Sequence, residues 1–175
     1  GTGVHFFIVD IAVYNGRLYA GITGQSAGDA DIYVYDPATD AWTISYTDAD
    51  HNGVFQMLAF NGKLYAGFSY GTDDADIYSF DGTTWTEVYA ASGESLIESM
   101  NVFNGKLYVG GGTGSAGGAF IKETSDGATW TEAFDGSAST VKSILNIVGF
   151  KGSLYAATKE SLASGPEVIR YSGSG

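Results

Sequence analysis

The sequence predicts an all-β protein made of four short antiparallel units, and three observations lead to this prediction. A two-residue turn, usually Asn-Gly, stands between apolar segments four times along the 175-residue chain. The turn glycines are 46, 43 and 47 residues apart, and the three tryptophans keep the same period at spacings of 43 and 45. No segment has the 3.6-residue apolar period of an amphipathic helix. A period of about 45 residues with two phased markers indicates stacked β-units.

Each unit opens with a predicted hairpin around this turn. In Phe60-Asn61-Gly62-Lys63-Leu64-Tyr65, an aromatic residue precedes the turn and a short apolar strand follows it. Asn-Gly suits a type I′ turn, because both central residues of that turn need positive φ. The first strands of the units are predicted at 8–14, 55–60, 97–103 and 144–150, and the second strands at 17–22, 63–68, 106–111 and 153–158.

Two further strands follow in each of the first three units. A polar or glycine-rich loop leads to third strands at 31–35, 76–80, 119–124 and 167–171, and a tight turn leads to fourth strands at 41–46, 84–89 and 129–134. Each fourth strand carries one of the tryptophans, Trp42, Trp85 and Trp130. The last unit has no room for a fourth strand before residue 175.

Four-stranded units of this length are typical of β-propeller blades. We therefore predict a β-propeller of four-stranded antiparallel blades, with an incomplete last blade and with one domain or propeller segment over residues 1–175. The predicted blades span approximately 5–50, 51–94, 95–139 and 140–175. Leu18, Leu64, Leu107, Leu154 and the tryptophans are predicted to form the core between blades, because one blade cannot cover its own faces.

Three arrangements of these blades remain open. The chain could form a four-bladed ring with an incomplete last blade, half of an eight-bladed ring completed by a second copy, or a fragment of a larger propeller or fibre protein. An exposed third strand in the last blade would favour pairing with another chain. A homo-oligomer that completes the fourth blade is therefore one predicted partner.

Two stretches resemble kelch repeats. Tyr35-Asp36-Pro37-Ala38-Thr39-Asp40-Ala41-Trp42 is similar to the kelch turn between third and fourth strands, and Asn104-Gly105-Lys106-Leu107-Tyr108-Val109-Gly110-Gly111 is similar to the kelch second strand with its double glycine. The turns at 81–85 and 126–130 also resemble shortened Asp boxes of sialidase-type propellers. The resemblance implies a kelch-like propeller and no particular enzyme.

Composition limits the classes of partner. The chain carries 20 acidic and 8 basic residues, a net charge of −12, which repels phosphate backbones and anionic lipid, so neither nucleic acid nor a membrane is an expected partner. It has no cysteine, which removes disulfide frameworks and cysteine-based zinc sites. No apolar run reaches 18 residues. We expect an extracellular, virion-associated or cell-surface protein.

One connecting loop carries a metal-binding pattern. Asp48-Ala49-Asp50-His51-Asn52-Gly53 reads D-x-D-x-N-G, the first half of an EF-hand-type loop, in which alternate oxygens converge on a calcium ion. The sequence therefore offers Asp48, Asp50 and Asn52 as possible calcium ligands. The alternative is an ordinary acidic loop that ends in an Asn-Gly turn. Asp73, Asp74 and Asp76 form a second acidic cluster, which we predict to be a solvated loop.

Polar residues recur at one level of the predicted first strands, four residues before the aromatic residue of each turn. They are Asp10, Gln56, Ser99 and Asn146. Such a ring would line a propeller channel and could bind a small ligand or only water. The loops between second and third strands and between units would share one face, where His51, Tyr70 and Glu94 are candidate contacts.

Catalysis has little support in the sequence. The chain has two histidines, and it has neither a G-x-S-x-G motif nor a phosphate-binding glycine loop ahead of a helix. The remaining candidates for a catalytic acid and base are paired carboxylates such as Glu94 and Glu98. We therefore expect a non-catalytic binding or structural module that binds a protein or a glycan through its loops. The alternatives are a purely structural repeat that oligomerises through its last blade, and a glycan-active hydrolase or lyase.

Overall fold

The computed structural model describes residues 7–69, 75–160 and 165–171, and these form an all-β fold. Fifteen strands and no helix occur in the described residues, which confirms the all-β prediction. No described segment forms a helix long and apolar enough to cross a bilayer. Tyr70, Asp73 and Asp74 lie outside the described residues.

The strands fall into four consecutive units, within one to three residues of the predicted bounds. Unit 1 contains β1 (Phe7–Tyr14), β2 (Arg17–Thr23), β3 (Asp31–Asp36) and β4 (Ala41–Thr47). Unit 2 contains β5 (Gly53–Phe60), β6 (Lys63–Ser69), β7 (Ile77–Phe80) and β8 (Trp85–Tyr89). Unit 3 contains β9 (Leu96–Phe103), β10 (Lys106–Gly112), β11 (Phe120–Thr124) and β12 (Thr131–Asp135). Unit 4 contains β13 (Val141–Phe150), β14 (Ser153–Glu160) and β15 (Val168–Tyr171).

Each unit is an antiparallel meander in which consecutive strands pair. A single bridge joins unit 1 to unit 2, where Thr23 opposes Gly53, and another joins unit 3 to unit 4, where Gly112 opposes Ser143. The described residues therefore form two antiparallel sheets, one of eight strands and one of seven. The Ser69 hydroxyl links units 2 and 3, because it accepts a 2.8 Å hydrogen bond from the Ile97 amide.

The hairpin turns have the backbone conformation that their sequence predicts. The first turn residues Asn15, Asn61, Asn104 and Lys151 have φ between 46° and 48°, and the glycines that follow have φ between 72° and 77°. Positive φ at both positions defines the type I′ turn, whose twist matches that of the flanking strands. Lys151 differs from the three asparagines at this turn position. It adopts the left-handed conformation without the local side-chain hydrogen bonding that an asparagine offers.

Every first strand carries a one-residue bulge at the same repeat position. The pairing register shifts by one residue at Val9, Phe55, Glu98 and Leu145, which are the extra residues of the four bulges. A bulge bends its strand and increases the local twist. The shared bulge therefore gives all four units the same curvature at this level.

The hydrophobic core lies between units rather than inside them. Three clusters of buried side chains are present, and each combines residues of two consecutive units. Ile32 of unit 1 shares a cluster with Val54 and Phe68 of unit 2, and Ile121 of unit 3 shares one with Ile144 and Leu154 of unit 4. A single meander therefore covers its faces only by packing against its neighbours.

Glycines in the second strands allow this close packing. A Cβ placed on Gly21 would lie 3.0 Å from Val54, and one on Gly67 would lie 2.5 Å from Ile97 of the next unit. A Cβ on Gly110 would lie 2.7 Å from Ile144. The following unit thus approaches the backbone of the second strand at the same point in all three junctions.

Candidate functional site

The loop between units 1 and 2 surrounds a buried histidine. One oxygen of Asp48 accepts hydrogen bonds from the amides of Asp50, at 2.8 Å, and His51, at 2.6 Å. The same oxygen lies 2.8 Å from the Nδ1 atom of His51. The other ring nitrogen, Nε2, lies 3.0 Å from a carboxylate oxygen of Asp76, which stands just before β7 in unit 2. His51 therefore bridges two units through two carboxylates.

These contacts determine the charge of the cluster. Burial lowers the pKa of His51, but its hydrogen bonds to Asp48 and Asp76 outweigh burial and raise this pKa to about 10. Burial raises the pKa of Asp48, and hydrogen bonds from His51 and Asp50 reverse that effect and leave the pKa below its usual range. At neutral pH the cluster is an imidazolium ion between carboxylates, packed against Phe68 and Tyr78.

The possible calcium ligands lie in this same loop. Asp48 is 5% exposed and its Oδ1 atom is engaged by His51 and Asp50, so it points into the loop rather than to solvent. The backbone carbonyl of Asn52 accepts hydrogen bonds from the Gly24 amide and the Thr23 hydroxyl. Within the described ranges, no three or more His, Asp or Glu side chains are grouped to hold a metal ion. Calcium binding at Asp48, Asp50 and Asn52 stays a prediction.

The four polar residues of the predicted channel share one register position. Asp10, Gln56, Ser99 and Asn146 lie directly opposite the second-strand residues Gly21, Gly67, Gly110 and Ala157, respectively. Residues opposite each other in an antiparallel pair lie on the same side of the sheet. These side chains therefore emerge on the side that, in units 1 to 3, faces the following unit.

Their environments differ from unit to unit. Asp10 accepts a 2.6 Å hydrogen bond from the amide of Met57 in unit 2, and burial raises its pKa. Ser99 is buried, whereas Asn146 is exposed. Asp10 thus connects the first strands of two units.

Glu94 and Glu98 have separate partners. Glu94 accepts hydrogen bonds from Tyr89 and from the Ser92 amide, and it forms a 2.9 Å ion pair with Lys122 of unit 3. Glu98 accepts a hydrogen bond from the hydroxyl of Ser143 in unit 4, and burial raises its pKa. Each carboxylate is engaged with the neighbouring unit rather than with the other one.

An open pocket of about 540 Å³ lies at the end of the first strands where the loop face begins. Phe7 and Val9 of β1, Phe55 of β5 and the segment Thr23–Gln25 line it. The lining is mostly apolar, and the Phe7 ring is 68% exposed. Concave sites with apolar walls and a few polar groups are typical of ligand pockets.

The sequence pattern does not reveal the partners of the loop residues. It predicts Asp76 to lie in a solvated loop, whereas Asp76 accepts hydrogen bonds from the Ala91 amide and from His51. The repeat itself contains a signal for a buried aspartate. Asp31-Ile32-Tyr33 and Asp76-Ile77-Tyr78 each place an aspartate at the start of the third strand of a unit. Both aspartates are largely or completely buried.

No protein-family model matches this chain, and a search of curated proteins finds none that is similar to it.

Proposed function

We propose that the chain is a kelch-like β-propeller segment that acts as a non-catalytic module and binds a glycan or protein at its loop face. Three features support this architecture: consecutive four-stranded meanders, cores that lie between units, and first strands β1, β5, β9 and β13 that follow one another side by side. Radial repetition of such units is the principle of a propeller. The proposed setting is extracellular, on a virion or at a cell surface.

The observation that carries the binding proposal is the pocket formed by Phe7, Val9, Phe55 and Thr23–Gln25. Aromatic side chains beside polar residues such as Thr23 and Gln25 suit a sugar ring, because the ring face packs on the aromatic side chain while hydroxyl groups form hydrogen bonds. A glycan is therefore the ligand that we favour. Glu94 and Glu98 are engaged with neighbouring units and Asp48 is engaged with His51, which supports a non-catalytic module over a hydrolase or lyase.

A glycan array followed by calorimetric titration of the strongest binder tests this function. We expect Phe7→Leu and Phe55→Leu each to weaken binding roughly tenfold, because leucine keeps the apolar volume but removes the stacking surface. Phe150→Leu is the matched control, since Phe150 is 57% exposed and lies outside the pocket.

Two results would contradict the glycan proposal. One is the absence of any bound glycan on the array, which would leave protein as the ligand class. The other is binding that Phe7→Leu and Phe55→Leu leave unchanged, or that Phe150→Leu weakens equally, which would exclude this pocket.

The structural alternative has one observation in its favour. Unit 4 ends in β15, which pairs only with β14 in the described residues, so its outer edge is open to another strand. Beside this edge lies a groove of about 100 Å³ lined by residues of units 3 and 4 that include Phe134, Ile169 and Tyr171. A strand supplied by another chain could fill this groove and complete the unit.

A further inference from the structure

The three junctions between units are built on the same contact. Two apolar residues of each first strand pack on the second strand of the preceding unit, as Ile97 and Met100 do at Gly67, and Ile144 and Ile147 do at Gly110. All of the residues at these two positions in units 2, 3 and 4 are at most 7% exposed: Val54, Met57, Ile97, Met100, Ile144 and Ile147.

Unit 1 presents the same two positions to solvent. Ile8, the counterpart of Val54, is 67% exposed, and Ile11, the counterpart of Met57, is 59% exposed. We call Ile8 and Ile11 the leading face of unit 1. Solvent-exposed isoleucines at positions that are buried in every other unit indicate a surface that is built to be covered.

Unit 4 exposes the complementary side. Phe150 is 57% exposed, whereas its counterparts Tyr14 and Phe60 are 4% and 6% exposed and its counterpart Phe103 is half-buried. Val168 is 70% exposed, whereas its counterparts Ile32, Ile77 and Ile121 are at most 1% exposed. We call Val148, Phe150 and Val168 the trailing face of unit 4; Val148 is 53% exposed.

We propose that two copies of this chain associate head to tail, with the leading face of unit 1 in one copy packed on the trailing face of unit 4 in the other. The three internal junctions show which surface covers each face, and residues 7–69, 75–160 and 165–171 of one chain leave both surfaces exposed. A second copy is therefore a complementary partner that needs no new contact chemistry. This interface goes beyond loop-face ligand binding and uses none of the pocket residues.

One difference between the junction of two copies and the internal junctions lies in the second strand, at the point where the next unit comes closest. Ala157 stands where Gly21, Gly67 and Gly110 stand in the other units. Its methyl group would meet Ile8 and Ile11 of the second copy, so this junction packs less closely than an internal one. We therefore expect a reversible association.

A head-to-tail contact joins two different surfaces, so it forms a closed ring when the rotation between copies allows it and an open chain when it does not. Two copies in a ring would bring eight units together. The measured mass distinguishes the two forms, since a ring stops at a dimer and an open chain grows with concentration.

The test measures mass by light scattering and sedimentation across a wide range of concentrations. Ile11→Glu and Phe150→Glu are each expected to raise the dissociation constant about a hundredfold, because a carboxylate would be buried without a partner. Both residues are exposed in the single chain, so folding should persist, and circular dichroism and thermal unfolding check this.

The matched controls are Ile44→Glu and Leu145→Glu. Ile44 is 50% exposed and its counterparts in units 2 and 3 are Glu87 and Glu132; Leu145 is 43% exposed and its counterpart in unit 3 is Glu98. Glutamate is thus already accepted at both positions, and we expect both controls to associate like the parent chain.

Mixing the variants tests the head-to-tail arrangement. Ile11→Glu keeps an intact trailing face and Phe150→Glu keeps an intact leading face, so an equimolar mixture should form a heterodimer although neither variant associates alone. Ala157→Gly should strengthen association, because it restores the internal packing.

Three results would overturn the proposal. The parent chain could stay monomeric at every concentration. Association could survive both glutamate variants, which would place the contact elsewhere, for example at the β15 edge. Ile11→Glu alone could abolish association with no heterodimer in the mixture, which would indicate a contact between two leading faces.

Discussion

At the scale of single residues, His51 forms two largely buried ion pairs in the described structure. Its two ring nitrogens bind Asp48 and Asp76, which belong to different units, and the ring is 4% exposed. Removing one partner of a buried ion pair leaves the other charge uncompensated. The histidine is therefore expected to act as an electrostatic link between units 1 and 2.

We expect His51→Gln to lower the free energy of unfolding by about 3 kcal/mol, because Asp48 and Asp76 would lose their cation. Urea denaturation followed by tryptophan fluorescence measures the change. Asp50→Asn is the control, since the exposed Asp50 side chain lies in the same loop and should change stability little. A loss below about 0.5 kcal/mol for His51→Gln would show that the ion pair adds no net stability.

The raised pKa of His51 predicts a pH dependence with a definite sign. The folded-state pKa is about 10, and the unfolded-state pKa is about 6.5. The contribution of protonated His51 to the free energy of unfolding is therefore fully present below about pH 6.5 and is lost as the pH rises towards 10. In the parent chain the denaturation midpoint should fall over this range, and in His51→Gln this part of the fall should be absent. An equal fall in both proteins would contradict the assignment.

Lys151 is a second residue whose conformation predicts a measurable effect. It has φ of 46° in a turn where the other three units use asparagine. Asparagine tolerates this conformation better than lysine, so Lys151→Asn should raise the free energy of unfolding by up to about 1 kcal/mol. The reciprocal change Asn61→Lys should lower it by a similar amount. Thermal unfolding tests both, and two shifts of the same sign would contradict the explanation.

At the scale of elements, the second strands determine how closely the units pack. Gly67→Ala would place a methyl group 2.5 Å from Ile97, inside the contact distance of two carbon atoms. Units 2 and 3 would have to separate, and we expect a loss of about 1–3 kcal/mol in the free energy of unfolding. Ala157→Gly, at the equivalent place in unit 4, should change the stability of the single chain by less than about 1 kcal/mol.

Denaturation midpoints of these two variants, measured where the chain is monomeric, compare the two positions directly. An equally small effect of Gly67→Ala on the free energy of unfolding would mean that the junction between units 2 and 3 relaxes at little cost.

The strand bounds themselves were largely predictable, since turn chemistry and apolar alternation are local signals. The bulges at Val9, Phe55, Glu98 and Leu145 were not predicted, because a register shift depends on the paired strand.

At the scale of the whole molecule, four similar units produce three cores and two uncovered end faces. Four meanders in a row have three junctions, so each end unit keeps one apolar side without a partner in the described structure. The proposed association of copies would cover these two end faces. The net charge of −12 opposes association at low ionic strength, so moderate salt should strengthen the dimer.

The sequence by itself determined the all-β class, the repeat and the turns, because positive-φ turn chemistry and apolar alternation act over a few residues. Only the tertiary structure decided which side chains meet. The sequence predicts Asp48 as a possible calcium ligand, and only the fold shows that its carboxylate also lies beside the ring of His51. Asp76 could be read as a solvated residue, and packing of unit 2 on unit 1 brings it to the same ring. Contacts between units depend on the relative placement of strands some 25 residues or more apart, and no local pattern specifies that placement.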